Sequence, residues 1–169
     1  MIDIFTPDVK HVDSFYECMD SIAKERIHFA ITSSYTRGQI SSWIMRFRMK
    51  GWPIVIAAED DKVVGFASVV PETGEGRDHW GTLIMGVQDG YRGQGIGKRL
   101  LASVVSKAQA AGLVRIELWV RERNTSAIAL YQRFGFQVTG RRTGCTKLAG
   151  QEVEDEILME KSYENVRTI

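Results

Sequence analysis

The spacing of apolar residues along the chain predicts four amphipathic helices. Apolar side chains recur with helical spacing over residues 8–24, 36–49, 94–110 and 125–134. A helix of this kind buries one stripe of side chains and leaves the opposite face to water. Thr36 or Ser34 can cap the second helix, because a side-chain oxygen at that position accepts from a free backbone N–H.

Short runs of apolar and β-branched residues predict seven strands between and around these helices. The predicted strands are residues 2–5, 54–58, 63–70, 80–87, 113–120, 136–142 and 153–159. The order is one strand, two helices, three strands, a helix, a strand, a helix and two strands. This order favours a mixed α/β layer structure with one central sheet.

Composition and charge narrow the class of protein. The chain has 169 residues, 44% of them hydrophobic and 25% charged, with a formal net charge of +1. This near-neutral balance gives no global attraction to nucleic acid or to a membrane surface, and no apolar run reaches a membrane-spanning length. The short basic clusters at Arg121, Arg123 and Arg141–Arg142 are expected to lie on the solvated surface.

Cysteine and histidine usage points to a reduced, metal-free protein. Cys18 and Cys145 do not form a disulfide framework, so a reducing, cytoplasmic location is expected. His11, His28 and His79 lie far apart, and no pair has the spacing of metal ligands. The sequence therefore predicts no metal site.

A glycine-rich segment follows one predicted strand and opens the predicted helix over residues 94–110. It reads Tyr-Arg-Gly-Gln-Gly-Ile-Gly-Lys-Arg-Leu-Leu over residues 91–101. Glycines at 93, 95 and 97 permit tight turns and leave backbone N–H groups uncovered at a helix N-terminus, where the helix dipole favours an anion. The segment therefore predicts a cradle for a phosphate or a pyrophosphate.

Two common nucleotide motifs do not fit this segment. A P-loop requires a glycine where Arg92 stands and a serine or threonine where Arg99 stands. The dinucleotide fingerprint requires its third glycine where Lys98 stands, and it belongs near the first strand of a doubly wound sheet. A nucleotide-binding module is therefore disfavoured.

Two segments instead resemble those of the GNAT superfamily, the GCN5-related N-acetyltransferases. Arg92, Gly95 and Gly97 match the Arg-x-x-Gly-x-Gly loop that binds coenzyme A in that family. Residues 124–136, Asn-Thr-Ser-Ala-Ile-Ala-Leu-Tyr-Gln-Arg-Phe-Gly-Phe, resemble its second cofactor segment. The spacing of the two segments and the order of elements also suit the family.

The resemblance implies a fold and a cosubstrate. The fold class is α/β (α+β): one N-acetyltransferase domain over residues 1–160, with a mostly antiparallel sheet of about seven strands, a splayed parallel pair and about four helices. Residues 161–169 would form a polar tail. The cosubstrate is acetyl-CoA, with no metal. The implied binding residues are Met85, Gly86, Val87, Arg92, Gly93, Gln94, Gly95, Ile96, Gly97, Lys98, Asn124, Ala127, Tyr131 and Arg133.

The resemblance also implies catalytic roles. Tyr131 matches the tyrosine that protonates the leaving thiolate. The base that deprotonates the acceptor amine stays open among Glu25, His79 and Glu117. Each of these three also has a plain structural explanation, as a solvated helix end, a strand end and a surface strand residue.

The expected acceptor is a small-molecule amine such as an amino acid. The acceptor site would border residues 25–35, the 72–78 loop and the turn near Gly150, and Arg26, Arg46 or Arg77 could bind an acceptor carboxylate. Two other functions stay open: a protein or peptide N-acetyltransferase, and a non-catalytic acetyl-CoA sensor. Because family members often pair, a homodimer is a further expectation.

Overall fold

Seven strands form a single sheet in the computed structural model, which describes residues 1–27, 35–147 and 150–163. The strands run in chain order β1 to β7, and their bounds are Ile2–Phe5, Ile54–Glu59, Lys62–Pro71, Trp80–Val87, Arg115–Arg121, Gln137–Thr146 and Glu154–Ser162. Their order across the sheet is β1-β2-β3-β4-β5-β7-β6. The neighbours β4 and β5 are parallel and every other pair is antiparallel, which confirms the predicted architecture.

Four α-helices cover the sheet in the described residues. They are α1 (Val12–Lys24), α2 (Arg37–Lys50), α3 (Ile96–Ala110) and α4 (Thr125–Arg133). Helices α1 and α2 pack on one face of the sheet, against the side chains of β2 and β3 that point to that face. Helix α3 packs on the other face, where β4, β5 and β7 contribute side chains to the core and α4 lies against it. The central strands are therefore buried on both sides, which explains the unbroken apolar run in β2.

Local signals account for most helix boundaries. Thr36 rather than Ser34 caps α2, since its hydroxyl accepts from the backbone N–H of Gln39. The stripe of α3 that the sequence predicts is the one that is buried. Its first turn begins at Ile96 and not at the predicted position 94, because Gly95 has a φ of 80° and serves as the N-cap.

Other predicted boundaries also differ from the structure, and β6 continues past the predicted residue 142 to Thr146. The predicted helix over residues 8–24 is divided into a 3-10 turn, Val9–His11, and α1, because Asp8 and His11 form a capping box around the turn. The last strand continues past residue 159 to Ser162. There the Lys161 Nζ donates to the backbone carbonyl of Phe134, which joins β7 to the end of α4. Residues 161 and 162 of the predicted tail therefore belong to the sheet.

The parallel pair β4–β5 is short. Its register joins Trp80 to Arg115, Gly81 to Ile116 and Thr82 to Glu117, and it ends there. Strand β4 continues to Val87 paired with β3 alone, while β5 continues to Arg121 paired with β7 alone. A gap therefore opens between the two strands in the middle of the sheet, as the predicted splayed pair requires.

Candidate active site

The glycine-rich segment forms an open loop between β4 and α3. Gly93 and Gly95 have φ values of 73° and 80°, a region that residues with a side chain rarely adopt. A Cβ at either position would meet no atom within 4 Å, so the loop is uncovered on its outer side. The side chain of Ile96 anchors the loop in the core. Free backbone N–H groups at the start of α3 make this loop suited to an anion.

A cavity of about 660 Å³ extends from this loop along the part of β4 that lies beyond the β4–β5 ladder. Residues of α4 line one side of it, and Ile22 of α1 lines it on the opposite face of the sheet. The cavity therefore passes the edge of β4 and reaches helices on both faces, while no described residue of β5 lines it. Its lining residues are Ile22, Met85, Gly86, Val87, Tyr91, Arg92, Gly93, Gly95, Gly97, Lys98, Asn124, Ser126, Ala127, Leu130, Tyr131, Arg133 and Phe134.

Most of the predicted cofactor-binding residues line this cavity. Gln94 and Ile96 are the two that do not, because Gln94 Nε2 donates to the Gly90 carbonyl at 2.9 Å and Ile96 is buried in the core. Sequence reasoning did not name Ile22, Tyr91, Ser126, Leu130 and Phe134. Leu130 and Phe134 are one helical turn apart on α4, so helical spacing could have indicated that they share a face with Ala127.

Arg92 stabilises the loop through a hydrogen bond and ion pairs. Its Nε donates to the carbonyl of Val87 at 2.9 Å, and its guanidinium forms an ion pair with Glu25 at 2.7 Å and a longer one with Asp89 at 3.7 Å. Glu25 directly follows α1, so this ion pair links the loop to the other face of the sheet. Because the Glu25 carboxylate is paired with the Arg92 guanidinium, the position of Glu25 favours a role in stabilising the loop.

Tyr131 faces the cavity from α4. Asn124 caps this helix, since its side-chain oxygen accepts from the backbone N–H of Ala127 at 3.3 Å. The ring of Tyr131 packs against Phe136, with 5.8 Å between ring centres, and the residue is buried. Burial raises the pKa of the Tyr131 phenol well above its usual value. The phenol therefore keeps its proton at neutral pH and can donate it.

Glu117 lies at the point where β4 and β5 separate. It is the last residue of β5 that is paired with β4. Its neighbours Ile116 and Leu118 face the α3 core, so its own side chain lies on the α1 face, where 15% of it is exposed and Arg115 is 3.6 Å away. Burial, more than any other cause, raises the pKa of its carboxyl group, against the opposing charge of Arg115. A carboxylate with a raised pKa suits proton abstraction near neutral pH.

The structure does not bring His79 to the cavity. His79 is exposed and precedes β4, whereas the cavity lies beside Met85, Gly86 and Val87 at the other end of that strand. Six residues of extended chain separate His79 from Met85, which corresponds to roughly 20 Å. Because the two ends of an extended strand cannot meet, this position does not favour His79 as the base.

Arg121 is not a surface residue, contrary to the prediction. It is 7% exposed, and its Nε donates to the carboxylate of Glu154, itself 5% exposed, at 2.6 Å. Its Nη1 donates to the carbonyls of Arg26 and Ile27 at 3.0 and 2.6 Å. Arg121 thus fastens the chain after α1 to the ends of β5 and β7.

Residues 28–34 and 148–149 of the predicted acceptor borders, and with them His28, lie outside the described residues.

Two further features concern the described part of the chain only. No three histidine, cysteine, aspartate or glutamate side chains lie together in a way that could hold a metal ion. No helix is both long and apolar enough to cross a membrane.

Comparison with sequence families agrees with the fold and the loop. The model of the acetyltransferase (GNAT) family matches residues 16–136, which is more than half of the chain. The chain belongs to this family.

Individual relatives match over part of their length. The chain is 33% identical over 112 residues to N-acetyltransferase family 8 member 2 of Rattus norvegicus, covering 65% of this chain and 44% of the relative. It is 30% identical over 105 residues to the L-methionine sulfoximine/L-methionine sulfone acetyltransferase of Pseudomonas aeruginosa, covering 59% of each. The chain therefore spans about half the length of these relatives.

One solved structure is similar in fold to this chain over its full length. The structure of yncA from Salmonella typhimurium, determined with its cofactor acetyl-CoA, superimposes with a TM-score of 0.90. The match covers 100% of this chain and 98% of that one at 18% sequence identity. At this identity the likeness concerns the fold.

The buried Arg121–Glu154 pair yields a prediction on stability. Arg121→Met should lower the free energy of unfolding by about 3–5 kcal/mol, because it leaves the Glu154 carboxylate buried without its partner. Arg123→Met is the matched control, since Arg123 is 63% exposed and pairs with the exposed Glu152 at 2.8 Å. That change should cost about 0–1 kcal/mol. Urea unfolding followed by circular dichroism measures both, and equal losses would contradict the assignment.

Proposed function

We propose that this protein transfers an acetyl group from acetyl-CoA to the primary amine of a small molecule, an amino acid or a related amine. The transfer occurs by direct attack in a ternary complex. The observation that carries this proposal is the cavity that extends from the glycine loop past the unpaired edge of β4 to Ile22 on the α1 face. Such a passage lets a donor enter from one face and an acceptor from the other.

The donor side fits coenzyme A. The open N–H groups around Gly93 and Gly95 suit its pyrophosphate, and Lys98 and Arg133 on the cavity wall add positive charge. Beyond Thr82, the side of β4 that faces β5 has no strand partner. The amide-rich pantetheine arm could hydrogen-bond there as an added strand beside Met85, Gly86 and Val87. Buried backbone groups need such partners.

The acceptor side favours Glu117 as the base. In the proposed reaction the acceptor ammonium gives a proton to the Glu117 carboxylate, and the free amine attacks the thioester carbonyl. The carbon–sulfur bond then breaks, and the leaving thiolate takes a proton from the Tyr131 phenol. The attacking nitrogen, which still carries an extra proton, releases it to solvent to give the neutral amide, and the Tyr131 phenolate regains a proton from solvent. Glu117 is preferred over Glu25 because Glu25 is paired with Arg92 at 2.7 Å. It is preferred over His79 because Glu117 lies opposite Thr82, three residues closer than His79 to the part of β4 that lines the cavity.

The related acetyltransferase from Pseudomonas aeruginosa, which its name assigns to methionine sulfoximine and methionine sulfone, supports an amino-acid acceptor. A homodimer and a cytoplasmic location stay predictions.

A panel of acceptors tests the function. We expect release of the coenzyme A thiol, and an N-acetylated product seen by mass spectrometry, when acetyl-CoA is mixed with free amino acids or small amines. Peptides of similar composition serve as the matched comparison. Activity on peptides alone would instead establish a protein or peptide N-acetyltransferase. Tight calorimetric binding of acetyl-CoA without thiol release from any acceptor would establish a sensor.

Tyr131→Phe tests the acid. The variant keeps the ring packing but loses the proton donor, so the turnover number should fall by roughly 100-fold or more. The dissociation constant of acetyl-CoA should change little. Tyr163→Phe is the matched control, because burial also raises the pKa of Tyr163, to about 12, although Tyr163 does not line the cavity. An unchanged turnover number in Tyr131→Phe would remove Tyr131 from this role.

Glu117→Gln tests the base through the pH profile. Glu117 acts only as a carboxylate, so kcat/KM should fall as the pH drops through its pKa, which burial raises above the usual carboxyl range. The substitution should remove this acid limb and lower kcat/KM by roughly 100-fold.

Glu160→Gln is the control for this change, since Glu160 lies opposite Glu117 on β7 and its charge helps to raise the pKa of Glu117. This variant should keep the acid limb and move it to slightly lower pH. Persistence of the same limb in Glu117→Gln would assign it to another group.

A further inference from the structure

A guanidinium lies over the face of β5 next to the proposed base. Trp119 follows Glu117 by two residues, so both side chains lie on the α1 face of the strand. The guanidinium carbon of Arg142 lies 3.6 Å from the centre of the Trp119 ring. Arg142 belongs to β6, and β7 lies between β6 and β5. Its side chain therefore crosses β7 and brings its charge to β5.

Arg142 has looser ion pairing than Arg115 and Arg121, two other arginines of the neighbouring strands. Arg115 contacts Glu160 at 2.6 Å, and Arg121 is buried against Glu154. Arg142 is 55% exposed, and its ion pair with Glu156 measures 3.9 Å. Glu156 also accepts from the Thr146 hydroxyl at 3.0 Å.

At 3.6 Å from the ring centre, the Arg142 guanidinium lies over the face of the indole, and this contact restrains the position of its side chain. A planar guanidinium fork of this kind matches a carboxylate.

The other charged groups on this face favour binding of the ammonium group of an acceptor. The charged groups that act on Glu117 are the carboxylates of Glu72 and Glu160 and the guanidinium groups of Arg115 and Arg142. With Glu117 itself, the carboxylates attract an ammonium group. Two residues along an extended strand span roughly 7 Å, so the ammonium position at Glu117 lies close to the guanidinium over Trp119. An α-amino acid carries its amine and its carboxylate on one carbon and suits this separation.

We propose that Arg142, stacked on Trp119, binds the carboxylate of an α-amino-acid acceptor whose amine faces Glu117. The proposal rests on the acetyl transfer proposed above and names its substrate class. It adds a fourth candidate to the three arginines predicted from sequence. Arg46 lies on α2, Arg77 on the loop before β4 and Arg26 directly after α1, and none of these three is on the strands that carry Glu117 and Trp119.

Kinetics with paired acceptors test this subsite. Free L-amino acids, with L-methionine sulfone among them, are compared with their carboxamides, which keep the amine and lose the negative charge. We expect the wild-type KM to be roughly tenfold to a hundredfold lower for the acids, as for a hydrogen bond to a charged group. Arg142→Met should raise the KM of the acids to that of the amides, with the KM of acetyl-CoA unchanged. Arg142→Lys should fall between the two.

Arg141→Met is the matched control. It removes the same charge from the neighbouring position, where Arg141 pairs with Asp155 at 2.7 Å and with Glu122 at 2.6 Å. This variant should keep the preference for acids. An equal preference for acids and amides in the wild-type protein, or an unchanged preference in Arg142→Met, would overturn the subsite and leave acetyl transfer standing.

Calorimetry separates the two proposals. The same acids and amides are titrated into the protein with coenzyme A bound, which requires no turnover. Acid-selective binding that disappears in Arg142→Met, without acetylation of any acceptor, would support the subsite and contradict acetyl transfer. The absence of binding for every acid in the wild-type protein would overturn the subsite.

Discussion

The end of the β4–β5 ladder at Thr82 and Glu117 is the constraint on which the site depends. Each strand keeps a partner on its other side, β3 for β4 and β7 for β5, so the sheet can open here without exposing a full strand edge. The opening leaves backbone groups of β4 facing a cavity instead of a strand. Because such groups need hydrogen-bond partners, the gap is suited to an extended ligand rich in amides.

Two arginines hold the two sides of this opening together. Arg92 extends from the glycine loop to Glu25, and Arg121 extends from β5 to the carbonyls of Arg26 and Ile27. Three consecutive residues after α1 are therefore fastened from both sides of the gap. This explains how a segment without regular structure keeps a defined path across the sheet. It also places the chain that leads into residues 28–34 beside both halves of the site.

Local patterns were sufficient to predict the strands, the buried stripe of α3 and the glycine loop. Each of these depends on side-chain periodicity or on glycine conformations that neighbouring residues determine. The environment of Arg121 could not be predicted in this way, because its partner Glu154 is 33 residues away in sequence. The contact of Arg142 with Trp119 likewise requires β7 to lie between β5 and β6, an order that chain sequence alone does not imply. The separation of His79 from the cavity, in contrast, follows from the strand predicted over residues 80–87, whose bounds are those of β4.

Strand β5 contributes residues both to the hydrophobic core and to the candidate active site. Ile116, Leu118 and Val120 face the α3 core, and the alternate residues Glu117 and Trp119 face the opposite side. A shift of the β5–β7 register by one residue would exchange the two sets and expose the core. The register that pairs Trp119 with Leu158 is therefore fixed by burial. The same burial that stabilises the sheet thus determines where the Glu117 carboxylate and the Trp119 ring lie beside the gap.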